Sequence, residues 1–331
     1  MTDREYDGSS STERDVLGEI IQAAGRRPAP RREDYDDVLS ASRAAWQQKV
    51  GWVRRRRRSY ALAASVAAAA LLVTASLQWF QPRQAIAVAM VLQGATEILA
   101  PDSDSWRPLS RADALYPGTQ LRTVGGGRIA LDLSLGTSLR INAGTRLTLE
   151  SDERIALARG TIYLDSGPGV QTKQIVVATA HGNVRDIGTQ FEVASEALTL
   201  RVRVREGRVE IDDAANGTGI RADAEEQVML RGAGPVERTA IARDAAVWSW
   251  TEALAPAQAV NGRSAYDVLN WVARETGRRL RFADAAAELQ ARGSILQGNQ
   301  ELSPAEALQV ATTTSALSYQ ITGGEILITR R

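Results

Sequence analysis

Residues 54–58 are five consecutive arginines, and the 24 residues that follow, Ser59 to Pro82, carry no charge. An α-helix rises about 1.5 Å per residue, so roughly twenty residues span a ~30 Å hydrocarbon core. Tyr60 at one end, and Trp79 with Phe80 at the other, stand where interfacial aromatics prefer to lie. The basic block Arg54, Arg55, Arg56, Arg57, Arg58 flanks the N-terminal side and acts as a topology anchor. By the positive-inside rule it stays in the cytoplasm and sends everything after Arg83 across the membrane. The expectation is a single transmembrane helix over 59–82, with residues 1–58 on one side and the remainder on the other. Two rivals are a buried Ala-rich core helix and a cleavable export signal ending near Ala87-Val88-Ala89. The first is long for a soluble domain, and the second has a long charged leader.

The totals exclude several classes of function. Lys plus Arg number 40 against 39 Asp plus Glu, a net charge of +1, so no general basic surface speaks for direct nucleic-acid binding. Cysteine is absent, which removes disulfides, thiolate metal sites and thiol nucleophiles. His181 is the one histidine, so no two-histidine zinc motif exists.

Before the arginines, Val16, Leu17, Ile20 and Ile21 repeat at helical spacing behind Thr12 and Asp15, predicting a helix over 12–24 that stops at Gly25 and the prolines 28 and 30. A second helix is expected from about Arg32 to Val53, with Tyr35, Val38, Leu39 and Trp46 on roughly one face. Two short amphipathic helices cannot bury a core alone. Either the segment is a loose tail, or a partner completes the apolar stripe, with Trp46, Leu39 and Val38 as the candidate contacts.

From Val88 to Leu230 the chain reads as short alternating runs broken by glycine. A Gly-Thr unit followed by alternating apolar residues occurs at 118, 136, 144, 160 and 188, intervals of 18, 8, 16 and 28 residues. Such spacing is too uneven for a strict repeat protein and reads as turn-to-strand punctuation in an all-β sandwich or solenoid-like stack. Leu139 and Ile141 point inward with Arg140 outward, and Leu147 and Leu149 inward with Thr148 outward. Gly125-Gly126-Gly127 reads as a hairpin turn, and so does Glu206-Gly207 between the runs 198–204 and 209–211.

The run Ile175 to Val193 resembles the signature of FecR-type regulators: a strand ending in Thr179, then Val184, Gly188, Thr189, Phe191 and Val193 in a V-x-x-x-G-T-x-F-x-V core. RVRVREGRVEI, with Gly207, resembles the family's next strand pair, and residues 131–149 its earlier strands. Residues 240–254 are expected to form a linker helix with Val247, Trp248 and Trp250. From Val260 the pattern is helix, strand, strand, helix, strand, strand, and it resembles the small STN-type signalling domain through Tyr266-Asp267-Val268-Leu269, Leu302 to Leu308 and Leu317-Ser318-Tyr319.

The expected organisation is therefore a membrane-anchored multidomain chain. It comprises a cytoplasmic sigma-binding segment at 1–58, the span at 59–82, a FecR-like all-β periplasmic domain at 85–235, a linker helix at 236–258 and an STN-like α+β domain at 259–331. No catalytic site, cofactor or metal is expected. His181 lies in a loop, Asp102 and Asp104 lack a continuing ligand ladder, and Asp223, Glu225 and Glu226 show no acid–base spacing. The resemblance implies an inner-membrane anti-sigma regulator. It would relay the state of a TonB-dependent outer-membrane receptor, through that receptor's signalling domain, to an extracytoplasmic-function sigma factor, with regulatory proteases as further partners. An envelope assembly protein docking to a secretin is the alternative.

Overall fold

The computed structural model describes residues 18–25, 29, 31–47, 84–134, 136–167 and 174–331. The chain divides into a unit ending at Pro82 and a unit from Arg83 to Arg331. In the first, residues 18–23 (α1) and 32–47 (α2) are helical, and nearly every side chain on them is exposed. Arg54 to Arg58 and the expected span lie outside the described residues. Among those described, no helix is long and apolar enough to cross a membrane.

The second unit opens with fifteen strands in one hydrogen-bonded system: β1 (Ala87–Leu99), β2 (Arg107–Pro108), β3 (Ala114–Leu115), β4 (Thr119–Leu133), β5 (Thr137–Ile141), β6 (Arg146–Leu149), β7 (Arg154–Asp165), β8 (Val176–Thr179), β9 (Gly182–Asp186), β10 (Gln190–Ser195), β11 (Thr199–Glu206), β12 (Arg208–Asp213), β13 (Thr218–Asp223), β14 (Glu226–Arg231) and β15 (Glu237–Ala240). Two long strands, β4 and β7, change neighbours midway. β4 pairs β6 through its first half and β5 through its second. β7 runs beside β6 and a parallel β8, then beside β5 and β10. β1 follows β4 through both halves, with register shifts at Ala89/Val91 and Gln93/Ala95. The system thus folds over into two layers. One ends in β8, β9, β12 and β13, and the other in β10, β11, β14 and β15. Inward residues of both layers, among them Leu121, Leu139, Leu147, Val184, Phe191, Val202 and Val209, form one apolar core. Of the two all-β expectations, this is the sandwich.

Four Gly-Thr units stand at strand starts, with positive φ at Gly118, Gly136, Gly144 and Gly188. The fifth does not. Gly160, φ 97°, lies inside β7 where that strand passes between layers, and any Cβ there would strike Thr145. The threonines do more than favour strands. Thr145 Oγ1 accepts from Thr161 N at 3.0 Å and donates to Thr161 O at 3.1 Å, satisfying backbone groups where the ladder breaks.

Three readings are corrected. Gly125-Gly126-Gly127 is not a hairpin but a bend inside β4, where positive φ at Gly125 and Gly126 lets one strand serve both layers. Glu206-Gly207 joins no hairpin either: β11 pairs β10 and β14 while β12 pairs β9 and β13, so the chain crosses between layers at Gly207. The linker is largely extended. Residues 237–240 add β15 to β14, and helix is confined to a 3-10 turn at Ala246–Trp248 and one α turn, α3 (Ser249–Glu252). Burial of Trp248 and Trp250 overrides the alanine-rich propensity here.

The chain ends in β16 (Gln258–Ala259), α4 (Ala265–Thr276), β17 (Arg279–Phe282), α5 (Ala285–Gly293), β18 (Glu301–Leu302), α6 (Pro304–Thr314), β19 (Leu317–Thr322) and β20 (Glu325–Arg330). β20 lies between a parallel β17 and an antiparallel β19. Ser264 caps α4 by accepting from Asp267 N, and a left-handed Gly277 ends it. Ser303 and Glu306 form a capping box on α6, with Pro304 at the first helical position. α5 replaces the second expected strand. Asp284 accepts from Ala287 N at its start, and its buried face is only Ala287 and Ala291, too small an apolar signal to register as a stripe. Val268, Leu269, Trp271, Leu308, Ile326 and Ile328 close a second core.

Candidate functional site

Alternation sends Arg140, Tyr163, Asp165, Gln190, Glu192, Arg201, Arg203 and Arg205 to the outer face of the second layer, opposite the core. Outward does not mean solvated here. Trp248, Trp250 and Leu254 pack on Tyr163 and Ala130 over this face, and the C-terminal end of α4 covers its flank. Arg140 and Arg205 are wholly buried.

Each buried charge meets a partner from the covering segment. Arg140 donates to Thr251 O at 2.7 Å and pairs with Glu275 at 2.6 Å. Arg205 donates to Arg243 O at 2.7 Å, Glu275 O at 3.1 Å and Glu252 at 3.0 Å. Trp250 Nε1 donates to Glu192 at 3.1 Å, while Arg203 holds the other oxygen of that carboxylate at 3.0 Å. Asp165 pairs with Arg274 and accepts from Gln190 at 2.8 Å. Burial opposes ionisation of Asp165, but the Arg274 guanidinium together with hydrogen bonds from Gln190 and Gly167 outweighs it and holds the carboxyl below its usual range. Burial pushes the Tyr163 phenol well up, with the Asp165 charge adding to it. The arrangement is a dry, charged joint. Removing one partner while the joint stays closed would strand an ion whose desolvation costs several kcal/mol.

The motif residues assemble elsewhere, at the corner where the chain changes layers twice. Val184, Phe191 and Val193 face the core, and Thr179 Oγ1 closes the β8–β9 turn on Gly182 O at 2.8 Å. Gly188, φ 71°, starts the first crossing. Thr189 is fully buried: its N–H donates to Ser166 Oγ at 2.9 Å, Ser166 Oγ donates back to Thr189 O at 3.1 Å, and its own hydroxyl donates to Asp186. Gly207, φ 81°, makes the second crossing directly against the Thr189 methyl, leaving no room for a Cβ. Seven residues scattered over 29 positions are thus one architectural corner.

Asp186 offers a test of that corner. Burial raises its pKa, against hydrogen bonds from Thr189 and Ser166 that lower it. A raised carboxyl pKa means the ionised form is disfavoured in the fold, so this group's contribution is most favourable below pH ~4 and is lost as pH rises through the folded value. Asp186→Asn is expected to raise the melting temperature at pH 7 and to leave it unchanged near pH 3.5. An equal shift at both values would show that Asp186 is not desolvated.

Other candidates are accounted for locally. His181 Nε2 lies 2.7 Å from Glu196 O. Asp223 pairs with Arg208 and Arg221, and Glu226 pairs with Arg238. Asp102 and Asp104 lie in the turn between β1 and β2. On α2, Val38 and Trp46 are 66% and 67% exposed and Leu39 is half-buried, so the stripe is uncovered within this chain's described residues.

Sequence reasoning missed Arg205, Arg274 and Glu275, and it placed Arg140 outward without seeing that it is covered. The available signal was the density of charge at alternate positions of RVRVRE, beside a segment carrying two tryptophans with nothing else to cover.

Comparison with known proteins bears on part of the chain. No curated protein matches it. Two crystal structures of a candidate anti-sigma factor from Parabacteroides distasonis, at 1.65 and 2.50 Å, align over 64% of this chain and 98–99% of theirs, at 18% identity and a TM-score of 0.35. At that level of agreement nothing is carried over from them. Residues 119–210, from the start of β4 into β12, match the family described as FecR protein, and that stretch contains both crossings, at Gly188 and Gly207.

Proposed function

We propose that this chain is an anti-sigma regulator of the inner membrane, with residues 1–58 holding an extracytoplasmic-function sigma factor in the cytoplasm and residues 84–331 reading a periplasmic signal. The FecR domain carries the reading. The uncovered stripe on α2 supports the first contact, because an exposed tryptophan at 46 beside Val38 is costly without a partner to bury it. β19 supports the second. It is an edge strand with Tyr319 and Ile321 exposed, so the signalling domain of a TonB-dependent receptor would dock there by adding a strand. On this reading residues 259–331 act as an STN-like module, and the chain performs no covalent chemistry.

Co-purification of the full-length chain with sigma factors tests the proposal. Trp46→Ala is expected to weaken sigma capture by at least tenfold while leaving the thermal unfolding of residues 84–331 unchanged. Capture of an outer-membrane partner with no sigma factor at all would overturn the anti-sigma reading and place the chain among envelope assembly proteins.

A further inference from the structure

The outer face of the first layer carries an arrangement that neither the core nor the joint explains. Glu97 on β1, Arg122 on β4, Arg146 on β6 and Arg159 on β7 are successive cross-strand partners in one rung. Neighbouring strands lie about 4.8 Å apart, so three guanidinium-bearing residues stand side by side over roughly 10 Å. Like charges directly opposite one another destabilise a sheet. Three in a row are compensated by a single carboxylate, Glu97, which is committed to Arg122.

Two of the guanidinium groups are also held in place. Trp106, between β1 and β2, lies under both, with the Arg122 guanidinium carbon 4.3 Å and that of Arg146 5.3 Å from its ring centroid. Arg146 is further oriented by Gln120 Oε1 at 3.1 Å. An aromatic plate beneath paired cations fixes them without neutralising them. Arg122, Arg146 and Arg159 line a cleft of about 470 Å³, bordered by Thr123, Thr145 and Gly125 at the bend of β4, in which Glu97 is the one acidic lining residue. At the bend the cleft is bordered by Val124 and by Gly125, which has no side chain.

We propose that this rung is a binding site for a diphosphate, with Arg146 and Arg159 gripping its oxyanions and Arg122, backed by Trp106, completing the cradle. Guanidinium forks match phosphoryl oxygens bidentately, and adjacent forks one strand apart suit two linked phosphoryl groups better than one. The diphosphate has two available sources, a free soluble compound or the headgroup of a lipid. The proposal stands apart from the anti-sigma reading, because it uses no residue of α2, β19 or the joint.

The test is a titration of the full-length chain with inorganic pyrophosphate, followed by tryptophan fluorescence and thermal unfolding. Saturable quenching that vanishes in Trp106→Phe, with a rise in melting temperature, is expected, and orthophosphate should bind at least tenfold more weakly. Arg159→Gln and Arg146→Gln are each expected to weaken pyrophosphate about tenfold. In the absence of ligand they should raise the melting temperature at low salt by relieving the like-charge rung, a combination that mere loss of a structural contact would not give. Vesicles carrying a lipid diphosphate, compared with vesicles carrying a lipid monophosphate, separate the two sources. Recruitment to the former alone assigns the headgroup, and binding of pyrophosphate without recruitment assigns a soluble compound. If pyrophosphate and sulfate at equal ionic strength act alike, or if the arginine variants bind as the parent does, the site is a solvated charged face and the proposal fails.

Discussion

Arg140→Gln is expected to destabilise residues 84–331 by about 3–5 kcal/mol, the range for breaking a buried ion pair by removing one partner. The substitution leaves the Glu275 carboxylate without its guanidinium and Thr251 O without its donor, while the site stays closed to water. Equilibrium unfolding of the full-length chain in urea is the measurement. The double variant Arg140→Met with Glu275→Leu discriminates between a packing effect and a charge effect. With both ions gone, most of the loss should be recovered, because replacing a whole buried pair by apolar groups is often neutral. A double variant as unstable as the sum of the singles would show that Arg140 and Glu275 act independently, and the joint would not be electrostatic.

The second large effect is expected from Gly277→Ala, about 3 kcal/mol. Gly277 ends α4 at φ 63°, a left-handed conformation that costs an L-residue roughly 1–2 kcal/mol. Its α-hydrogen also faces the Arg205 guanidinium and Arg243 O, both of which a Cβ would strike. Arg205 cannot swing aside cheaply, because three hydrogen bonds hold it in a buried site. Gly323→Ala is the matched control, since Gly323 has φ 55° with nothing near its Cβ position and should show the conformational cost alone. Comparable losses in the two variants would mean that the close approach to Arg205 contributes nothing.

What could be read from the chain beforehand divides along physical lines. Alternation placed Leu139, Ile141, Leu147 and Leu149 in the core, because that signal is local. Layer membership was not legible. Glu206-Gly207 has the composition of a hairpin, and only the partners of β11 and β12, far away in sequence, reveal it as a crossing. The same holds for the triple glycine in β4, whose bend has meaning only beside β5 and β6. The joint escaped for a related reason. An outward arginine on a strand looks identical whether water or Trp248 lies above it, and the covering segment is about 110 residues further along.

The long strands that serve both layers have a mechanical consequence. β1 begins at Ala87 and is matched to β4 at eleven residue pairs running through both halves of the sandwich. A pull on the chain along β1, as from an anchor at its N-terminal end, would load those backbone bonds together in shear and could not open them one at a time. Meanwhile the covering segment and α4 grip β5, β7, β10 and β11 through their buried ions. Tension entering at one end of this unit would therefore reach the other with no slack layer between.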